Sequence, residues 1–169
     1  MKPDIFLRPL ALEDAETSFH WRNDPEIWKY TKFNLSGQIT LEMEQEWLLA
    51  TLKQQDQKRY AICLKDTGAY IGNIQLLEVD GEKAVFHLFI GETSCWGKGI
   101  GKEATRLLLD YAFYDLGLQR VDLEVNKDNI AAIRIYTSWG FTTVGHASSF
   151  NRMSISKTTY TRQHLNQIL

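Results

Sequence analysis

Residues 96–104 read Trp96-Gly97-Lys98-Gly99-Ile100-Gly101-Lys102-Glu103-Ala104 and lie between an apolar, strand-like run and an amphipathic helix. Glycine at three alternate positions lets the backbone curl with its N–H groups turned inward. The N-terminus of the following helix adds orphan N–H groups and partial positive charge. Together they make a cradle for a diphosphate. Spacing excludes two rival loops. A Gly-x-x-x-x-Gly-Lys-Ser/Thr loop would need glycine where Trp96 stands and a hydroxyl residue where Glu103 follows Lys102. A Gly-x-Gly-x-x-Gly dinucleotide fingerprint lacks its last glycine, whether counted from Gly97 or Gly99.

A second segment, Asn126-Lys127-Asp128-Asn129-Ile130-Ala131-Ala132-Ile133-Arg134-Ile135-Tyr136, bears on which diphosphate is bound. Asp128 or Asn129 can cap a short helix here, and Gly140 is placed to end it in a left-handed conformation.

With both segments in view, the chain resembles the GNAT superfamily of acyl-CoA-dependent N-acetyltransferases. That family's loop is usually Gln/Arg-x-x-Gly-x-Gly/Ala, which lays Gly99 and Gly101 on the two key positions, with Trp96 in place of the leading Gln/Arg. The ribosomal-protein N-terminal and polyamine branches often read Trp-Gly-Lys-Gly, as here. Asn129, Ala132, Tyr136 and Gly140-Phe141 resemble the family's Asn-x-x-Ala-x-x-x-Tyr-x-x-x-Gly-Phe. The resemblance implies that Trp96, Gly97, Lys98, Gly99, Ile100, Gly101 and Lys102 bind acetyl-CoA as co-substrate, with Asn129 and Tyr136 beside its arm. It further implies that main-chain groups of Phe89, Ile90 and Gly91 meet the thioester and pantetheine amides, where Gly91 could also permit a bulge.

Acetyl transfer to an amine needs a neutral amine, an oxyanion site and a proton for the departing thiolate. A lysine-like amine with pKa about 10.4 is neutral in only about one molecule in 10³ near pH 7. A base is therefore expected. His87, on the strand before the loop, titrates near the working pH and matches a histidine of the arylalkylamine acetyltransferases; Glu78, ending the preceding strand, is the alternative. Tyr136 matches the family tyrosine that protonates the thiolate. Trp21-Arg22-Asn23-Asp24-Pro25-Glu26 looks like a segment of amino-sugar acetyltransferases, so Trp21, Arg22, Asn23, Trp28 and Tyr30 are candidate acceptor-binding residues; the aromatics could equally be a core face. The expected reaction is direct attack by a primary amine of a small molecule, such as an amino sugar or polyamine, in a ternary complex. The alternatives are a protein N-terminal acetyltransferase and a non-catalytic acyl-CoA sensor.

The elements that must position these residues follow from periodicity. Ile5–Arg8 reads as a strand, Leu12–Asn23 as a helix broken by Asp24-Pro25, and Thr40 to about Gln54 as a second helix. Period two then takes over at Tyr60–Leu64, Tyr70–Val79 and Ala84–Gly91, with Asp80-Gly81 as a hairpin signal. Ile100, Ala104, Leu107, Leu108 and Tyr111 recur at helical spacing, and Gly117 caps that helix. Val121, Leu123 and Val125 alternate with Asp122 and Glu124 as a half-buried strand; Phe141–Gly145 and Ile155–Thr161 read as final strands. The class expected is α+β, one mostly antiparallel sheet flanked by helices in a single domain over 1–169.

At 169 residues the chain can bury roughly 70% of its unfolded surface. A net charge of −2 argues against a nucleic-acid binder. Residues 11–46, however, hold eight acids against three bases, an acidic stretch that would favour a cationic acceptor. Two cysteines are too few for a disulfide framework, and His20, His87, His146 and His164 have no ligand-like pairing, so no metal is expected. With no signal peptide and no membrane-length apolar run, the expected setting is the cytoplasm, without a membrane partner and with room for a homodimer.

Overall fold

A computed structural model describes residues 2–34 and 36–168. Its centre is one seven-stranded sheet in the order β1-β2-β3-β4-β5-β7-β6. The strands are β1 Ile5–Pro9, β2 Lys58–Leu64, β3 Tyr70–Leu77, β4 Lys83–Ile90, β5 Arg120–Asn126, β6 Thr142–Ala147 and β7 Phe150–Ser156. Every ladder is antiparallel except β4–β5. The α+β class expected from the element order is the one observed.

The hairpin between β3 and β4 forms where Asp80-Gly81 signalled it. The Asp80 carboxylate accepts from Glu82 N and Lys83 N at 2.9 Å each, and Gly81 takes φ 91°. Helices α1 (Ala15–Arg22), α2 (Pro25–Trp28) and α3 (Leu41–Leu52) precede the meander. The residues expected to open α1 instead form a short 3-10 turn at Leu12–Asp14, because the Asp14 carboxylate accepts from Ala11 N and both Arg8 terminal nitrogens.

One expectation fails at the C-terminal end. The strand expected over Ile155–Thr161 is displaced: β7 ends at Ser156, and Lys157–Ile168 is a helix, α6. Threonines 158, 159 and 161 favour strand locally, but Ser156 Oγ accepts from Thr159 N at 3.1 Å and caps the helix. The strand signal belongs upstream, where Met153 and Ile155 are buried.

The sheet is covered unequally. One face buries Ile74, Leu76, Phe86 and Val121 beneath α4 (Ile100–Asp110) and α5 (Ile130–Trp139). On the other face, Ala61 and Cys63 pack under Leu10, Ala15 and Leu48, so α1 and α3 shield the β1–β3 end and, through Trp21, the last residues of β4. The β4-β5-β7-β6 end of that face stays open.

A tight contact locks the α1 end to β4. A Cβ built on Gly91 would lie 2.0 Å from the Trp21 indole, and Trp21 Nε1 donates to Glu92 Oε1 at 3.0 Å. Gly91 is thus needed for close approach of a ring rather than for a bulge; the β3–β4 register runs without a shift. Gly91→Ala should destabilise by about 1–3 kcal/mol through overpacking, read as a lower thermal midpoint. A variant as stable as the parent would show that the indole moves freely.

Candidate active site

The site begins with a gap. β4 and β5 pair in parallel only at Lys83–Arg120, Ala84–Val121 and Val85–Asp122, and beyond that the strands part. The facing edges of 86–90 and 123–126 therefore have no ladder partner. Gly91 N donates to the Ile71 carbonyl at 2.8 Å, which fixes the phase of the antiparallel β3–β4 ladder. That phase turns the peptide groups of Phe89 and Gly91 toward β3 and those of Leu88 and Ile90 toward the gap. Of Phe89, Ile90 and Gly91, only Ile90 presents its backbone to the gap, and Leu88 joins it. The Ile90 carbonyl accepts from Trp96 Nε1 at 3.0 Å.

Past the gap the chain turns through the glycine loop. Gly97 and Gly99 take φ 73° and 78°, and Gly99 is the N-cap of α4. The N–H groups of residues 97–102 find no acceptor among the described residues; Glu103 N, donating to the Gly99 carbonyl at 3.1 Å, is the first helical one that does. Six consecutive free donors at a helix N-terminus suit a diphosphate. Gly101 sits close to α5: a Cβ there would be 3.1 Å from Ile135 Cδ1. Lys98 is exposed, and the Lys102 ammonium lies over the Trp139 ring at 5.5 Å.

Tyr136 reaches the same gap from α5. Asn129 Oδ1 caps that helix by accepting from Ala132 N at 3.2 Å, and Gly140 closes it at φ 107°. The Tyr136 ring meets Phe86 edge-on, with centroids 5.6 Å apart, and Phe86 is the first β4 residue past the last β4–β5 pair. Burial pushes the phenol well above its ordinary pKa.

On the opposite face of the sheet lies an open cleft of about 750 Å³. Val85 and His87 of β4, Asp122 and Glu124 of β5, and Arg152 and Ser154 of β7 line it, with Glu78 at the end of β3. Glu78 holds φ 53°, a left-handed backbone that a non-glycine residue adopts at some cost, and it marks the cleft rim. Desolvation by the cleft walls lowers the pKa of His87 even though its ring remains accessible; Arg59 lowers it further, and Glu124 and Glu78 oppose. Among these residues, His87 and Glu78 were expected from the sequence. Asp122, Glu124, Arg152 and Ser154 were missed as site residues, although the alternation of β5 had marked Asp122 and Glu124 as facing away from the core.

The segment 21–30 stands beside this cleft, and most of its polar groups are committed internally. Trp21 is buried. Arg22 Nε pairs with the Glu44 carboxylate at 3.2 Å, and its guanidinium stacks on Trp47 and Trp28. Asn23 bridges the Phe19 and Ile39 carbonyls and accepts from Ile39 N. Trp28 donates to the Trp21 carbonyl and packs on Phe89, whereas Tyr30 lies under the Lys29 ammonium. Asp14 and Glu44, two of the acids in the acidic stretch, are buried ion-pair partners rather than parts of a charged lip.

Residues 4–142 match the acetyltransferase (GNAT) domain, and the chain belongs to that family. It is 30% identical over 140 residues to N-acetyltransferase p20 of Bacillus licheniformis, covering 81% of this chain and 78% of that one. It is 28% identical to the spermidine N(1)-acetyltransferase of Escherichia coli K12, over 83% of this chain and 74% of the relative. The fold is also that of a spermidine N-acetyltransferase from Vibrio cholerae solved with CoA and spermine, with TM-score 0.84 at 23% identity over 94% and 98% of the two chains. The protein is an acetyl-CoA-dependent N-acetyltransferase. No helix among the described residues is long and apolar enough to cross a membrane.

A loop that holds its anion through backbone N–H groups should be sensitive at Gly99 and tolerant at Lys98. Gly99→Val forces a branched side chain into φ 78° and should abolish measurable acetyl-CoA binding by calorimetry, whereas Lys98→Ala should weaken it only severalfold. Parental affinity in the valine variant would move the diphosphate elsewhere.

Proposed function

We propose that the enzyme acetylates primary amines of small molecules that enter the cleft over β4, β5 and β7. The arrangement of the two faces carries this reading. The glycine loop, α4 and Tyr136 lie on one side of the sheet, the cleft with His87 on the other, and the β4–β5 gap connects them. Donor and acceptor can then approach from opposite faces and react in one ternary complex. The spermidine acetyltransferases among the relatives act on a small amine, which supports the same choice.

In this reading His87 takes the proton of the incoming ammonium, directly or through water, and the freed lone pair attacks the thioester carbonyl carbon. The N–H groups of Leu88 and Ile90 face the gap and can hold the oxygen as charge builds on it. As the carbon–sulfur bond breaks, the Tyr136 hydroxyl donates to the sulfur. The bond formed is C–N and the bond broken C–S. The ammonium nitrogen gives up two protons, one to His87 before attack and one from the C–N adduct; since one proton reaches sulfur, the net release to solvent is one. Lys98 and Lys102 add positive charge around the diphosphate donors. No metal enters this scheme, and with Cys63 and Cys95 as free thiols we place the enzyme in the cytoplasm. A homodimer is its proposed assembly, though a Vibrio cholerae relative in fold is dodecameric.

A thiol-release screen across polyamines, amino sugars, aminoglycosides and N-terminal peptides tests the acceptor class. Small amines should give the highest kcat/KM; a peptide N-terminus that surpasses them overturns the reading. Tyr136→Phe keeps the packing and deletes the hydroxyl, so kcat should fall roughly 10²–10⁴-fold with acetyl-CoA affinity nearly kept. A rate within about twofold of the parent would mean that solvent protonates the thiolate. His87 with a lowered pKa stays neutral at pH 7, so the acid limb of kcat/KM should fall below the usual histidine range. His87→Ala should remove that limb, and an unchanged profile would shift the role to Glu78 or an ordered water.

A further inference from the structure

The cleft's charges are mostly neutralised from within. Glu124 is taken by Lys32, which reaches over from the segment between α2 and α3, and Arg120 pairs with Asp122 at 3.0 Å. Asp122 also accepts from Ser154 Oγ at 2.6 Å. Two charges are left over. Glu78, at the β3 rim, has no partner among the described residues, and neither does Arg152 on β7. Arg152 faces Glu124 across the β5–β7 ladder, yet that carboxylate is already committed to Lys32.

Arg152 is also held in place. Its guanidinium meets Gly145 on β6 edge-on, where a Cβ would stand 2.6 Å from Nη2, 3.0 Å from Nε and 3.2 Å from Cζ, so the Nε–Nη2 edge faces the glycine and Nη1 points away from it. The β6–β7 register shifts between Thr143 and Gly145, and that irregularity brings the glycine beneath the arginine. A guanidinium with no acid partner, backed edge-on by a glycine and with Nη1 turned away from it, stands in the wall of the acceptor cleft and can receive an anion there.

We infer that the acceptor carries, besides its amine, an anionic group, a phosphate or a carboxylate, which Arg152 receives. This rests on the small-molecule reading of the cleft and narrows it. His87 and Arg152 stand on strands two places apart, and β4 and β5 have already parted at that level, so their backbones are separated by at least roughly 10 Å. Side-chain reach shortens that span, but the amine and the anion must still be several bonds apart. An α-amino acid is too short. An amino-sugar phosphate or an ω-amino acid fits.

The test uses matched pairs: glucosamine 6-phosphate against glucosamine, and 6-aminohexanoate against hexylamine, assayed by thiol release. If none is turned over, the same pairs are run as inhibitors of the best amine found in the screen. At least one charged member should be preferred about tenfold or more in kcat/KM or Ki, and which pair shows it separates phosphate from carboxylate. Arg152→Gln should bring that ratio close to one, chiefly through KM, and Arg152→Lys should restore part of it. Gly145→Ala, which displaces the guanidinium while keeping it, should lower the ratio as well. Equal treatment of charged and neutral members, or a preference that survives in Arg152→Gln, overturns the inference alone. Turnover confined to peptide N-termini overturns the small-molecule reading beneath it.

Discussion

Everything at this site depends on two strands ceasing to pair. β4 and β5 share only three parallel positions, at Lys83, Ala84 and Val85, before separating. A sheet interior normally satisfies every backbone group along its ladders, and unpaired edges inside it are costly unless something else occupies them. Here the parting strips partners from Leu88 and Ile90 on one side and from residues 123–126 on the other. A ligand rich in amides is the natural occupant of such a gap. In the proposed reading the same opening joins the helix-covered face to the open cleft.

Packing on both faces holds that opening in shape. Trp21 presses against Gly91 at the end of β4, and Trp28 and Trp21 bracket Phe89 with ring centroids at 4.8 and 6.0 Å. Across the sheet, Phe86, Tyr136 and Phe141 form an aromatic cluster with centroids within 6.4 Å of one another. The buried Arg22–Glu44 pair, with Ser18 donating to Glu44 at 2.8 Å, fixes α1 against α3. Buried pairs of this kind contribute little net stability but are strongly destabilising when one partner is lost. Their effect is to specify where α1 lies, and with it where Trp21 meets the strand. Trp21 and Trp28, candidate acceptor ligands in the sequence, also brace the end of β4 through their contacts with Gly91 and Phe89.

What was legible in the sequence was local. The glycine loop, the Asp80-Gly81 hairpin and the Asn129-to-Gly140 helix each depend on residues a few positions apart, and each formed where its signals stood. The elements that carry the proposed donor site were readable for that reason. The acceptor half was not, because it is assembled by topology. β7 inserts between β5 and β6, and only that placement brings Arg152 opposite Glu124 and into the same cleft as His87. The error over 155–161 has the same root: three threonines signal strand, and Ser156, capping the helix that overrides them, is one quiet residue. Segment 21–30 shows a second limit. Tryptophan, arginine and asparagine suit a sugar pocket and a buried network equally well, and only the partners distinguish them.

The electrostatics of the two faces complete the arrangement. On the cleft side, desolvation with help from Arg59 lowers the pKa of His87, so its imidazole is neutral at pH 7 and able to accept a proton. On the helix side, burial among Phe86 and Phe141 raises the pKa of Tyr136, so its phenol keeps its proton at any pH the fold would meet. Both shifts come chiefly from the same cause, removal from water, and burial favours the neutral form of each group. For a histidine the neutral form is a base; for a tyrosine it is an acid. In the proposed mechanism, one unselective physical effect, applied on either side of a parted ladder, thus supplies a proton acceptor for the amine and a proton donor for the thioester.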